Sequence, residues 1–206
     1  MSNKIKAAKN KLIRDTILDT AKKIIEAEGL DSLSIRKLAA QVGYSPANIY
    51  QYYKSKSEII EAVVQQGYQQ IINSLRIERL DFDSAEAEIR YKFGKYIESA
   101  LQNKDYYKAV MLSEKENLLK QTSILKPEFC RNPSAFKLLQ ELIERGQSQG
   151  EFENGNSQTK AKIIWTATFG LIIRLIIEKI DNKEKQLQLI ENHFDIIFGG
   201  IRKNRQ

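Results

Sequence analysis

The sequence is poor in cysteine, histidine, proline and glycine. Among 206 residues there is one cysteine, Cys130, and one histidine, His193. An intramolecular disulfide is excluded. So is a zinc cluster of Cys and His ligands, which needs four such groups. Ser-His-Asp or Cys-His catalysis would have to run through His193 alone, so the composition argues against an enzyme, and no metal or cofactor is implied. Ten glycines and three prolines are about half of what an average composition supplies, and that scarcity of chain breakers favours helices. Long apolar runs are also lacking. The most apolar stretch, residues 161–177, is interrupted by Lys162 and Arg174 and falls short of the roughly 20 residues a membrane span needs. It reads as a helix buried in protein, with no membrane partner. No apolar segment of a secretory signal follows the basic start, so a cytoplasmic location is expected.

What is present is positive charge, unevenly spread. The net charge is +7. Residues 1–60 hold eleven cations against six acids, whereas the remainder is nearly balanced. Lys4, Lys6, Lys9, Lys11 and Arg14 precede the first acid, Asp15. A basic first third beside a near-neutral remainder suits a polyanion partner for that third alone; a solubilising tail is the alternative.

Apolar periodicity predicts helices throughout. The first runs from about Lys9 to Glu28, with Ile13, Ile17, Ala21, Ile24 and Ile25 on one face and Gly29 as its stop. Ser34 caps a short helix that Gly43 ends. Ser45-Pro46 places an N-cap residue before a proline at the first helical position. Ser55-Lys56-Ser57-Glu58 is a capping box opening a long helix to about Leu75. Later helices are expected from about Ser84 to Gln102, Asp105 to Thr122, Ser134 to Gln149, Gln158 to Ile180 and Lys183 to Ile201. A loop is expected over 126–133 and a polar turn over 151–157. The fold class is therefore all-α, with about nine helices.

Residues 34–53, SIRKLAAQVGYSPANIYQYY, have helix-turn-helix logic. Two short helices meet at Gly43, Ala39 is small where they cross, and Leu38, Val42 and Ile49 supply a buried wedge. The first helix braces and the second offers its exposed face to the major groove. With the apolar helix to Gly29, Leu33-Ser34-Ile35-Arg36-Lys37-Leu38-Ala39, Gly43-Tyr44-Ser45, Ile49-Tyr50-Gln51-Tyr52-Tyr53 and Lys54-Ser55-Lys56-Ser57-Glu58, residues 9–75 resemble the DNA-binding domain of the TetR family of transcriptional regulators. Residues 143–152, IERGQSQGEF, resemble a stretch common in that family's C-terminal domains. Ala47-Asn48 depart from the glycine and threonine of many members; Asn48 bears on which operator is read.

The resemblance implies an N-terminal helix-turn-helix domain over 1–55, a linking helix over 56–76, and a larger helical ligand-binding and dimerisation domain over 77–206. Helix geometry and resemblance together assign DNA contacts to Ser34, Arg36, Ser45, Pro46, Ala47, Asn48, Tyr50, Gln51, Tyr52 and Lys56. Arg36 can touch a base or a phosphate, Asn48 can pair with adenine, and Pro46 and Ala47 can pack on a thymine methyl. Ser34, Tyr50 and Lys56 suit phosphates. Ile49 and Tyr53 belong to the core.

In the larger half, Tyr91, Phe93, Tyr96, Tyr107, Met111, Phe129, Phe136, Trp165 and Phe169 are pocket candidates, favouring an apolar or aromatic effector. The last two helices are apolar around too much of their circumference for one core face. A self-complementary four-helix interface would cover the rest, through Gly170, Ile173, Ile177, Ile190, Phe194 and Ile197. The expected function is a homodimeric, ligand-responsive regulator, most simply a repressor, that reads a palindromic double-stranded DNA operator and is released by a small molecule. An enzyme and a non-specific DNA-coating protein are the competing readings.

Overall fold

The computed structural model describes residues 3–76, 81–112, 116, 125 and 134–203. Among the described residues there are nine α-helices: α1 (Asn3–Glu28), α2 (Ile35–Val42), α3 (Pro46–Tyr50), α4 (Lys56–Asn73), α5 (Ala85–Gln102), α6 (Lys104–Met111), α7 (Ser134–Ser148), α8 (Ser157–Ile177) and α9 (Lys183–Gly199). The all-α expectation holds. Contacts divide the chain into two compact units, Met1–Tyr68 and Gln69–Gln206, so the boundary falls inside α4.

In the first unit, Ile17, Ala21, Ile24 and Ile25 of α1 are at most 2% exposed. They share a core with Leu33, Leu38, Ala39, Ile49, Tyr53, Ile59, Val63 and Val64. Fully burying an aliphatic or aromatic side chain is worth about 1.5–3 kcal/mol, so this apolar set can hold a unit whose α3 is only five residues long. α1 begins six residues earlier than periodicity predicts. Residues 4–12 are exposed, so no burial pattern marks them. They contain no glycine or proline and are rich in Ala and Lys, good helix formers, and they extend the helix that the packed segment nucleates.

In the second unit the core runs through Ile89, Phe93, Tyr96 and Ile97 of α5, Tyr107 of α6, Leu139 and Ile143 of α7, Ile164, Trp165, Ile172 and Leu175 of α8, and Phe194 and Phe198 of α9. α6 is described to Met111; the rest of the helix expected to Thr122 and the loop expected over 126–133 lie outside the described residues.

Residues 151–157 are more than a polar turn. Phe152 is 1% exposed, stacks on Phe198 at 5.8 Å between ring centroids, and forms an isolated antiparallel bridge with Arg202. Gly150, at φ +73°, turns the chain out of α7. The Glu151 and Phe152 N–H groups then donate to the Gly146 carbonyl at 2.8 and 3.2 Å. The Glu151 carboxylate reaches the start of α5 and accepts from the Ala85 and Glu86 N–H groups at 2.9 and 3.2 Å. Ser84 Oγ accepts from Ala87 N–H at 3.0 Å. Three free N–H groups of that helix end are thus satisfied, two by an anion where the helix dipole favours one.

Glu86 next to this cap binds two cations. Its carboxylate accepts from Arg90 Nε at 2.8 Å and from Arg202 Nε at 2.6 Å. Partial burial alone would push its pKa up, but the hydrogen bonds and charges of Arg202 and Arg90 outweigh this and hold it below the ordinary value of 4.5. A depressed folded-state value means the stabilisation is fully present above 4.5 and is lost as pH falls through the folded-state value. The expected result is that Glu86→Gln flattens the fall in thermal midpoint between roughly pH 5 and pH 2. An acid limb parallel to that of the parent protein would show that Glu86 contributes none of it.

Candidate nucleic-acid interface

The turn between α2 and α3 is built from local chemistry. Ser34, in extended backbone, accepts from Lys37 N–H at 3.2 Å through Oγ and opens α2. Gly43 ends α2 in the left-handed region at φ +74°, and Tyr44 N–H closes on the Ala39 carbonyl at 2.8 Å. A side chain with a Cβ is disfavoured there by about 1–2 kcal/mol. Ser45 Oγ accepts from Asn48 N–H at 3.2 Å and Pro46 takes the first helical position, so α3 is fixed at its start. Ser55 Oγ accepts from Glu58 N–H at 3.1 Å, and the Glu58 carboxylate accepts from Lys54 N–H, one residue outside the standard capping box.

These caps orient the candidate residues. Ile49 is fully buried and Tyr53 nearly so, as the sequence predicts. Ser34, Arg36, Ser45, Pro46, Ala47, Asn48, Tyr50 and Gln51 are exposed, while Tyr52 and Lys56 are half-buried. Tyr50 is 52% exposed, which a core tyrosine would not be. The neighbouring cations differ in use: Lys37 pairs with Glu28 of α1, whereas Arg36 stands open to solvent.

Arg14 braces the end of this segment, a role the sequence reading missed. Its guanidinium lies 4.2 Å from the Tyr53 ring centroid and donates to the Tyr52 carbonyl. The Tyr53 hydroxyl donates to the Arg14 carbonyl at 3.4 Å. Burial pushes the Tyr53 hydroxyl's pKa up, against the charge of Arg14, so it stays a donor near neutral pH. The signal was non-local: 38 residues separate Arg14 from Tyr52.

Five of the pocket candidates meet. Phe93 and Trp165 pack edge to face at 5.7 Å, Tyr96 and Trp165 lie 5.5 Å apart, and Tyr107 reaches Phe169 at 6.5 Å. The Tyr96 and Tyr107 hydroxyls hydrogen-bond at 3.0 Å inside this cluster, where burial pushes the Tyr96 pKa well above its ordinary value. The two hydroxyls lie among the rings of Phe93, Trp165 and Phe169. Tyr91 stands apart: it is 36% exposed, packs on Phe82 at 5.4 Å and lines a groove of about 490 Å³ along α5 and α9. Met111 and Phe136 are half-buried, and Phe129 and Cys130 lie outside the described residues.

Of the interface candidates, Gly170, Ile173, Ile190 and Ile197 are half-buried and Ile177 is 50% exposed. Phe194 is different. It is 1% exposed, stacked on Phe198 with the Arg90 guanidinium 5.8 Å above its ring, so it serves the core of its own chain. Ile163, Leu187, Leu189 and Ile196 are exposed apolar residues of α8 and α9 outside the expected set. His193 Nε2 hydrogen-bonds Thr168 Oγ1 at 3.1 Å, and burial lowers its pKa, which favours the neutral ring. Among the described residues no helix is long and apolar enough to cross a membrane.

Comparison with known proteins places this geometry. Residues 17–63 match the family model of bacterial regulatory proteins of the tetR family. Over 53 residues the chain is 34% identical to the HTH-type transcriptional repressor DrrR1 of Streptomyces coeruleorubidus; the match covers 26% of this chain and 20% of that repressor. The chain thus spans one fifth of that relative's length. The fatty acid degradation regulator FadR of Bacillus halodurans shares the fold with a TM-score of 0.69 at 18% identity, over 93% of this chain and 97% of that one. A bacterial regulatory protein of the tetR family from Rhodococcus RHA1 does so with a TM-score of 0.67 at 15% identity, over 94% and 98%. The residues that match the family model lie in the unit that carries the capped turn, and the fold shared with these solved structures extends over both units.

Proposed function

We propose that this chain is a transcriptional repressor that binds a palindromic operator as a homodimer and releases it when a small apolar or aromatic molecule binds the C-terminal unit. The observation that carries the reading is the row Ser45–Asn48, Tyr50 and Gln51. It is exposed on a helix whose start is capped and whose Ile49 is locked in the core. Such a row can enter a major groove without reorganising the unit that bears it. Residues 1–55 form the reading head, residues 77–206 the sensing and dimerising part, and the segment 56–76 links them. Two heads about 34–36 Å apart match successive major grooves on one face of DNA. An effector shifts that arrangement only through different affinities for the two states. The Tyr96–Tyr107 hydroxyl pair among apolar rings supports an effector with an apolar body. The match of residues 17–63 to bacterial regulatory proteins of the tetR family supports a non-enzymatic, DNA-binding role in the cytoplasm.

The test is in-vitro selection of a binding duplex, then affinity for it and for random duplex across salt concentrations. Specific binding about 10³–10⁷ tighter than random is expected. Asn48→Ala then costs roughly 1–3 kcal/mol on the selected duplex and nothing on random DNA. Lys56→Ala weakens both and reduces the salt slope by about 1. A specificity ratio near one, or equal loss on both duplexes for Asn48→Ala, would overturn the sequence-reading assignment.

A further inference from the structure

The projecting start of α1 takes no part in the reading described above. From Lys4 to Leu12 every side chain is exposed. Lys4, Lys6, Lys9 and Lys11 lie within this stretch and no acid does. The ten residues before Arg14 reach about 15 Å along the helix axis. Their root is fixed: Arg14 stacks on Tyr53 and donates to the Tyr52 carbonyl. Tyr52 and Tyr53 directly follow the exposed row that ends at Gln51. The lysine-bearing helix therefore springs from beside the end of the recognition segment, not from the far end of α1, where Glu28 pairs with Lys37.

Four like charges within about two helical turns repel each other, and none of them is buried to offset this. Each strand of duplex DNA carries one negative charge per about 3.4 Å of axis, so a helix of about 15 Å along one backbone passes roughly four phosphates. We propose that residues 4–11 form an arm that grips phosphates flanking the bases read by α3, lengthening the footprint beyond the recognition helix. The inference rests on the operator-binding proposal and adds a second contact to it.

The test uses the full chain with Lys4, Lys6, Lys9 and Lys11 all changed to Gln. Glutamine matches lysine in helix propensity and relieves the repulsion among the four charges, so the thermal midpoint should not fall. Binding is followed by anisotropy between about 50 and 200 mM salt, on the selected duplex with long flanks and on the same duplex trimmed to the read bases. The expected result is a salt slope lower by about 2 per bound subunit on the long duplex, at about 0.9 per phosphate contact, because at about 100° per residue only two of the four lysines share a helix face. The trimmed duplex should not distinguish variant from parent, and Lys→Arg at all four positions should keep the slope. An unchanged slope on the long duplex, with the parent still selective, overturns the arm and leaves the operator proposal standing. An equal fall on the trimmed duplex places the lysines over the read bases and overturns the flanking assignment. A parent with no selectivity overturns both. Loss of phosphatidylserine-vesicle binding with no change on DNA assigns the helix to a membrane surface and overturns the arm.

Discussion

Gly146→Ala is expected to destabilise the C-terminal unit, although alanine is the better helix former. A Cβ at Gly146 would overlap Phe152 Cδ2 and Cε2 and sit 3.1 Å from Ala85 Cβ. The Phe152 ring has nowhere to go: it is 1% exposed, stacked on Phe198, and held by backbone bonds between Glu151–Glu153 and Ile201–Lys203. Overpacking of this kind costs roughly 1–3 kcal/mol, against a helix-propensity gain of at most about 1 kcal/mol so near the end of α7. Phe152→Ala alone should cost about 3–5 kcal/mol, by emptying the space. The informative measurement is the double substitution. Once Phe152 is alanine, Gly146→Ala has nothing to strike and should become neutral or stabilising by up to about 1 kcal/mol. Trp165, the chain's one tryptophan, lies in this unit and reports its unfolding by fluorescence. The same cost in both backgrounds would sink the steric account. The effect also reaches α5, because Glu151, next to Phe152, caps that helix.

The contrast between Ser84 and Glu151 shows what was legible in the sequence. Ser34, Ser45, Ser55 and Ser84 each bond an N–H three residues on, so four helix starts follow from side chains adjacent in the chain. Glu151 does the same work for α5 from 66 residues away, and nothing local announces it. Arg14 and Phe152 were missed for the same reason. Helix phase was the second difficulty. Tyr91 and Phe93 are two residues apart, about 200° around a helix, and cannot both face one interior; only packing decides that Phe93 does. α9 is apolar at so many angles that composition shows an excess without showing its direction. The structure supplies that direction by burying Phe194 and leaving Ile196 78% exposed.

That exposed direction carries the other large expected effect: Ile177→Asp with Ile196→Asp should give a folded monomer with a crippled grip on its operator. On α8, Ile163, Gly170 and Ile177 recur every seven residues with Thr166 and Ile173 between them, the spacing of a helix-packing seam. Ile163 and Ile177 are 61% and 50% exposed in the single chain, and α9 adds Leu189 at 37% beside Ile196. Among the described residues no atom beyond its own helix backbone lies within 4 Å of where a Gly170 Cβ would stand. The described residues give no reason for a glycine there, whereas close approach of a second helix would. Covering the exposed half to three-quarters of each isoleucine would contribute about 1–2 kcal/mol, and two-fold symmetry counts it twice. A carboxylate in the seam reverses that gain without touching the unit's own core, so the Trp165 unfolding transition should stay near that of the parent. Gly170→Leu should act the same way by blocking approach. Phe194→Ala should do the opposite, losing about 3–5 kcal/mol of stability while the chain still associates. Sedimentation equilibrium separates these outcomes. On DNA, losing the tether between two reading heads should weaken operator binding by about 10²–10⁴, with single half-site affinity unchanged. A double Asp variant that still sediments as a dimer would place the interface on another face. A monomer that binds the full operator as tightly as the parent would sink the two-fold reading itself.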